Sequence, residues 1–391
     1  MRVLMLAPGF SMHSRRPLGW LLDRGCEVVF MDWDDPLPAP RAGYRFVRIT
    51  AIRGMRLWRR LLGPARAARF QMHLLTRALR RLGREAAPDV THVHWVDTRA
   101  TACARAGLHP LVVSVWGSDV NAPRDPDAAG EALAAADLVI VDEPGMADKC
   151  RRLAGRPVST ELLHQGVDTT RFRPGLDGAR RAWRTMLAIP DASKVALSLR
   201  GWHPSYGHHV ILEAFHRAMA TLAQPAVLVF KIFNRVSYPD AGSYERDVRA
   251  RVEAVGLGSH VRWIEHEVDF DEMPGVYAFA DVIVNAPEQD AMPATFFEAA
   301  ASERPVVSWR LPAYVGSFAE RVFRMVEPGD VDALAAALVA ELEQPTPPGR
   351  LAEARRLVER EADESVVASR LMELYRQVAR TKSSSRRLAR K

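Results

Sequence analysis

The chain has 391 residues, 48% of them hydrophobic, too long for one ordinary core and apolar enough for two. Its formal net charge is +7, but the excess is local. The arginines from Arg53 to Arg84 share a window without Asp or Glu, and Lys382, Arg386, Arg387, Arg390 and Lys391 form a second cluster. Cys26, Cys103 and Cys150 are far apart and make no C-x-x-C pair, which argues against a disulfide framework or a zinc site. No apolar run approaches the ~20 residues of a membrane span, and the run within Met1–Gly9 is too short for a signal peptide. A reducing cytoplasm is the expected compartment.

In chain order, Val3–Leu6 reads as a buried strand ending in Pro8-Gly9-Phe10, Pro17–Asp23 as a helix, and Glu27–Met31 as a strand ending in Asp32-Trp33-Asp34-Asp35. That order opens a doubly wound sheet, and the absence of G-x-G-x-x-G argues against a nicotinamide cofactor. Phe46–Ile49 is a further strand. The arginine window follows as one or two helices broken near Gly63-Pro64, with Leu57, Leu61, Phe70, Leu74 and Leu79 at helical spacing. Such a basic amphipathic helix either faces anionic headgroups or an anionic acceptor, or is simply a solvated arginine face; the two readings weigh equally.

Strands Val90–His94, Leu111–Val115, Leu138–Val141 and Thr160–Leu163 complete the first half. Alternation with helices implies a parallel sheet, whose ligands lie beyond the carboxyl ends of its strands. Gly9, His94, Trp116, Asp119 and Glu143 therefore share one rim. A turn-rich connector runs from His164 to Pro174, with the domain boundary within Asp168–Pro174.

The second half begins with a helix over Ala179–Leu187. Strand Val195–Leu199 ends in Arg200-Gly201-Trp202, Ala226–Phe230 ends in Lys231, and Val261–Ile264 ends in Glu265; a helix covers Tyr206–Ala220. Strand Val282–Val284 leads into the acidic loop Asn285–Met292, a helix opened by Pro293 or Ala294, and strand Val306–Ser308. A strand Val322–Met325 and helices Val331–Leu342, Leu351–Glu361 and Ser365–Val378 follow, the last returning to the first domain. The expected domains are residues 1–168, residues 169–364, a crossing helix over 365–379, and a basic disordered tail over 380–391.

Arg200, Lys231 and the helix start at Ala294 suit a diphosphate: a guanidinium bridges two oxygens, and helix amides and dipole favour an anion. Asp290 and Glu298 can accept hydrogen bonds from sugar or ribose hydroxyls. Each residue has a plainer reading. Arg200 could form a salt bridge, Lys231 could be solvated, and Asp290 could cap the helix. His94 is as readily a satisfied histidine, and Gly9 a turn glycine.

Four passages then stand in order: W-G-S-D at Trp116–Asp119, A-D-L-V-I-V at Ala136–Val141, H-Q-G-V-D-T-T-R-F-R-P at His164–Pro174, and D-A-M-P-A-T-F-F-E-A-A-A-S-E-R-P-V-V at Asp290–Val307. Together they resemble the retaining nucleotide-sugar glycosyltransferases of family 4, over roughly Met1 to Ala379. The resemblance implies an α/β GT-B fold, two Rossmann-like doubly wound parallel-sheet domains facing a central cleft. It implies a catalytic set of Arg200, Asp290 and Asp119. Substrate contacts fall on Gly9, His94, Trp116, Gly201, Tyr206, Lys231, Met292, Pro293, Ala294, Thr295 and Glu298, with Glu298 on the ribose and Asp290 on the donor sugar. No metal and no cofactor are implied beyond a UDP- or GDP-linked sugar as donor. The acceptor would be a glycan, lipid or small molecule, with peripheral contact to an anionic inner-membrane face through Arg53–Arg84 and no nucleic acid. This chain departs from the pattern at Tyr206, where the family has lysine, at Trp116, where histidine is usual, at Arg304, where the family has glycine, and at Asp290, where glutamate is usual. A non-catalytic sugar-nucleotide-binding partner protein and a sugar-nucleotide 2-epimerase are the alternative functions.

Overall fold

A computed structural model describes residues 1–9, 11–32, 42–49, 58, 60–61, 63–232 and 241–388, with side chains to Thr381. Of the arginine window, Arg53, Arg56 and Arg59 lie outside the described residues, as do Trp33–Asp35 and Phe10. The chain divides into two compact units, Met1–Gly166 with Ser365–Lys391, and Val167–Glu364. The division falls at Gly166–Val167, just before the stretch where the sequence places it.

Unit 1 is built on seven strands: β1 (Arg2–Leu6), β2 (Glu27–Asp32), β3 (Tyr44–Arg48), β4 (Val90–His94), β5 (Leu111–Ser114), β6 (Leu138–Val141) and β7 (Thr160–Leu162). They lie in the order β3-β2-β1-β4-β5-β6-β7, with parallel pairings throughout. Unit 2 carries β8 (Lys194–Ser198), β9 (Ala226–Lys231), β10 (Val261–Ile264), β11 (Val282–Asn285), β12 (Val306–Trp309) and β13 (Arg324–Val326), ordered β10-β9-β8-β11-β12-β13 and again parallel. Helices cover both faces of such sheets, so the inner strands are unbroken apolar runs such as Leu138–Val141 and Val282–Val284 rather than alternating ones.

The strand order reverses between β1 and β4 in unit 1 and between β8 and β11 in unit 2. Loops leaving the carboxyl ends of neighbouring strands diverge at such a reversal and leave a crevice for ligands. Gly9 follows β1 and His94 ends β4; Arg200 follows β8 and Asp290 follows β11. Topology alone therefore sets these residues at the two crevices.

Several elements differ from the sequence expectation. The first helix begins at Met12, not Pro17, because Ser11 caps it by accepting from the His13 amide. The helix expected over Tyr206–Ala220 is split at Gly207 into a short 3-10 turn, Pro204–Tyr206, and a helix from His208 to Met219. Gly207 has a φ of +68°, and a Cβ there would lie 2.1 Å from the Ala286 carbonyl oxygen, so only glycine fits. Val322 ends a helix, Phe318–Val322, and the strand starts after it at Arg324. The last helix runs Glu364–Leu388, through residues expected to be a disordered tail; no glycine or proline interrupts it there.

That last helix completes unit 1. Val367, Ala368, Leu371, Met372, Leu374 and Tyr375 join one buried cluster with Val3, Met5, Phe30, Val90 and Val112. Tyr375 is fully buried, and its hydroxyl meets His92 Nδ1 at 2.5 Å. The basic helix Pro64–Ala86 buries Leu75, Leu79 and Leu82, and leaves Arg66, Arg69, Arg77, Arg80, Arg81 and Arg84 exposed. Among the described residues, no helix is long and apolar enough to cross a membrane.

Candidate functional site

In unit 2, Arg200 and Asp290 are far apart in sequence but meet because β8 and β11 are neighbours. Arg200 Nη2 donates to Asp290 Oδ1 at 3.0 Å and lies 2.9 Å from Oδ2. The Tyr314 hydroxyl donates to Oδ2 at 2.9 Å and the Ala291 amide to Oδ1 at 3.1 Å. Both carboxylate oxygens are thus engaged, about as many hydrogen bonds as a carboxylate takes. The sequence assigns Asp290 to the donor sugar; here the carboxylate holds Arg200. The guanidinium carbon sits 4.6 Å over the Tyr206 ring. Burial opposes its charge, but Asp290, Tyr206 and Tyr314 outweigh burial and hold the Arg200 pKa above its ordinary value.

The loop then enters the helix Ala294–Ala301. Pro293 is its N-cap, no side chain caps it, and the Phe296 amide turns back onto the Pro293 carbonyl, so the amides of Ala294 and Thr295 and the positive end of the helix dipole are what the helix start offers an anion. Met292 and Pro293 are buried, Thr295 is nearly so, and Ala294 is half-buried. One turn into the helix, Glu298 is 8% exposed, and its Oε2 accepts from the Tyr277 hydroxyl at 2.8 Å. Lys231, ending β9, is 5% exposed. Burial pushes its amine down to about 8, against the pull of Glu267 and Glu298. Gly201 follows Arg200 and is half-buried. The structure therefore groups Arg200, Tyr206 and Asp290, and sets Lys231 within electrostatic reach of Glu298. Tyr314 was not visible in the sequence, because it reaches Asp290 from a 3-10 turn, Pro312–Tyr314, beyond β12.

In unit 1, the Gly9 amide donates to Asp32 Oδ2 at 2.7 Å and Arg15 Nε donates to the Gly9 carbonyl. Asp119, expected among the catalytic groups, accepts from the Val96 amide at 2.9 Å and the Trp116 amide at 3.0 Å. Its two oxygens tie the loop after β4 to the loop after β5. Glu143 caps the helix Pro144–Ala154 by accepting from the Gly145 amide. His94 and Trp116 do come together, stacked at 5.7 Å with 12° between ring planes.

Two family models match. "Glycosyl transferases group 1" covers residues 194–344 and "Glycosyl transferase 4-like" covers residues 2–143. Each half of the chain thus matches a glycosyl transferase family, which makes it a glycosyltransferase. Among solved structures, this glycosyltransferase is similar to sucrose-phosphate synthase from Thermosynechococcus elongatus, at 18% identity and a TM-score of 0.78 over 96% of this chain and 99% of that one. HepE of Anabaena, solved with UDP and glucose, is 14% identical with a TM-score of 0.71 over 96% and 100% of the two chains. A UDP-forming trehalose-phosphate synthase from Burkholderia xenovorans is 13% identical with a TM-score of 0.74 over 97% and 99%. These likenesses establish the two-domain GT-B fold of the glycosyltransferase. No curated protein sequence matches it.

Proposed function

We propose that this glycosyltransferase binds a nucleoside-diphosphate sugar on unit 2 and passes the sugar to an acceptor hydroxyl with retention of anomeric configuration. The observation that carries this is the uncapped helix start at Ala294, with Arg200 held by Asp290 in the adjoining loop and Glu298 one turn inside the helix. Cations and helix amides stabilise the charge that develops on a departing diphosphate, and side chains rather than a metal ion supply it. Lys231 stands in for the family's lysine, whose position is taken by Tyr206. Glu298 accepts the ribose hydroxyls. In a front-face transfer the acceptor attacks from the side the diphosphate leaves, a leaving phosphate oxygen takes the proton, and orientation does the rest. The complex of HepE with UDP and glucose supports UDP as the first nucleotide to try.

Calorimetry with UDP and GDP tests the reading. One of them binds the wild type, and Glu298→Ala weakens that binding about tenfold or more with little change in Tm. A well-folded variant with unchanged affinity removes the ribose assignment. Proton NMR of the product's anomeric coupling decides retention, and unchanged turnover in EDTA supports transfer without a metal. Contact with an anionic membrane belongs to the same proposal. Trp58, Leu61 and Phe70 are exposed beside Arg60, Arg66 and Arg69, apolar and basic groups suited to an acidic headgroup layer. Pelleting with phosphatidylglycerol vesicles, lost in Arg66→Glu/Arg69→Glu, is the expected outcome; no pelleting of the wild type rules it out.

A further inference from the structure

The loop from Arg200 to Gly207 is held at its tip, its side and its base. At the tip, the Glu288 amide donates to the Ser205 carbonyl at 2.8 Å. At the side, Gly207 lies against the Ala286 carbonyl. At the base, the ring of His208, first residue of the helix that follows, donates from Nε2 to the Arg200 carbonyl at 3.3 Å. The first two contacts use backbone. The third depends on which side chain stands at position 208.

The surroundings of His208 are aromatic. It is fully buried and stacks on Trp202 at 4.3 Å with 11° between ring planes, with Phe230 at 5.8 Å and Tyr244 at 5.9 Å. The Tyr244 hydroxyl lies 2.9 Å from the ring of His209 instead. Burial pushes the His208 pKa down to about 3, so the ring is neutral and carries a single proton. With that proton on Nε2, Nδ1 is a bare acceptor. Neither His208 Nδ1 nor the Trp202 indole N–H has a hydrogen-bond partner among the described residues.

Unpaired polar atoms in an interior cost free energy and are ordinarily avoided. A phenylalanine at position 208 would fill the same space against Trp202 without the unpaired nitrogen, so packing does not account for a histidine there. The bond to Arg200 does. Arg200 follows β8 directly, and its guanidinium is held at the far end by Asp290 and backed by the Tyr206 ring. A clamp on its carbonyl fixes the near end. An arginine held at both ends loses little freedom when an anion arrives, and charge fixed in advance is what stabilises a departing diphosphate.

We propose that His208 is a positioning residue of the donor site: the N–H of its ring holds the Arg200 carbonyl and so aims the guanidinium at the diphosphate. The proposal rests on the donor reading above and adds to it a group buried beneath the nucleotide.

The first test needs no variant. Nitrogen NMR of the full chain labelled at histidine reads the ring directly: His208 protonated at Nε2 at neutral pH is expected, and protonation at Nδ1 overturns the proposal. Calorimetry with UDP and GDP follows. His208→Phe weakens the nucleotide that binds about fivefold, as loss of one hydrogen bond does. Tm holds or rises, because removing the unpaired nitrogen offsets the lost bond. A purely structural histidine gives the reverse, a lower Tm with affinity unchanged, and that result overturns the proposal. In an Arg200→Ala background the same substitution costs no further affinity, since the two residues act as one unit; a loss that adds in full to that of Arg200→Ala also overturns it. If wild type binds neither nucleotide, the donor reading fails and the Arg200 Nε proton resonance decides this one. A resonance that shifts in His208→Phe supports the clamp, and one that stays in place overturns it.

Discussion

The two crevices occupy equivalent places on two similar sheets, yet they are chemically opposite. The unit 2 crevice is charged: Arg200 on Asp290, Lys231 near Glu298, and an uncapped helix start. The unit 1 crevice is aromatic, with His92 and His94 kept neutral by burial and its carboxylates turned onto backbone amides, Asp32 onto Gly9, Asp119 onto Val96 and Trp116, and Glu143 onto Gly145. A shared scaffold supplies position, and the side chains at strand ends supply chemistry.

Arg200→Ala should break this contrast most severely. It removes the counter-charge from a nearly buried Asp290, costing about 3 kcal/mol of stability, and it lowers nucleotide affinity about a hundredfold, as calorimetry would show. A variant that keeps full nucleotide affinity would mean that Arg200 serves the fold alone.

Titration sharpens the contrast with a smaller effect. The Lys231 amine lies at about 8 in the folded chain against an ordinary 10.5. The unfolded chain therefore holds this proton where the folded chain has lost it, and Lys231's contribution to stability rises with pH between those two values. Charge on Lys231 favours a diphosphate, so UDP or GDP affinity should fall several-fold between pH 7 and 9.5, and Lys231→Met should flatten that slope. A profile that is already flat in the wild type would take Lys231 out of nucleotide binding.

Tyr314→Phe is the mildest test. It deletes one hydrogen bond to Asp290, worth about 1.5 kcal/mol. Nucleotide affinity should drop less than in Arg200→Ala, with the fold intact by circular dichroism. A loss as large as that of Arg200→Ala would place Tyr314 on the nucleotide itself.

Much of this layout was readable from the sequence, for particular reasons. Continuous Val, Leu and Ile runs mark strands covered on both faces, and the residues that close them, such as Arg200, Lys231 and His94, lie at the rims because parallel sheets place them there. What could not be read depends on tertiary approach. Nothing near Tyr314 in sequence signals that a 3-10 turn brings its hydroxyl to Asp290. The first helix reads from Pro17 in the sequence, whereas Ser11 opens it earlier, at Met12. The left-handed backbone of Trp95 is invisible in composition, since no glycine or asparagine announces it. The inward turn of Asp119 likewise depends on a neighbouring strand.

The closing helix bears on how the polypeptide matures. Val367, Leu371 and Tyr375 complete the hydrophobic interior beneath β1 and β4, so the domain whose translation starts first is the last to be finished. Residues 167–364 form one uninterrupted unit, free to fold as soon as they clear the ribosome, while the leading half waits with an apolar sheet face uncovered. During synthesis, that waiting face is where chaperones should engage the nascent chain.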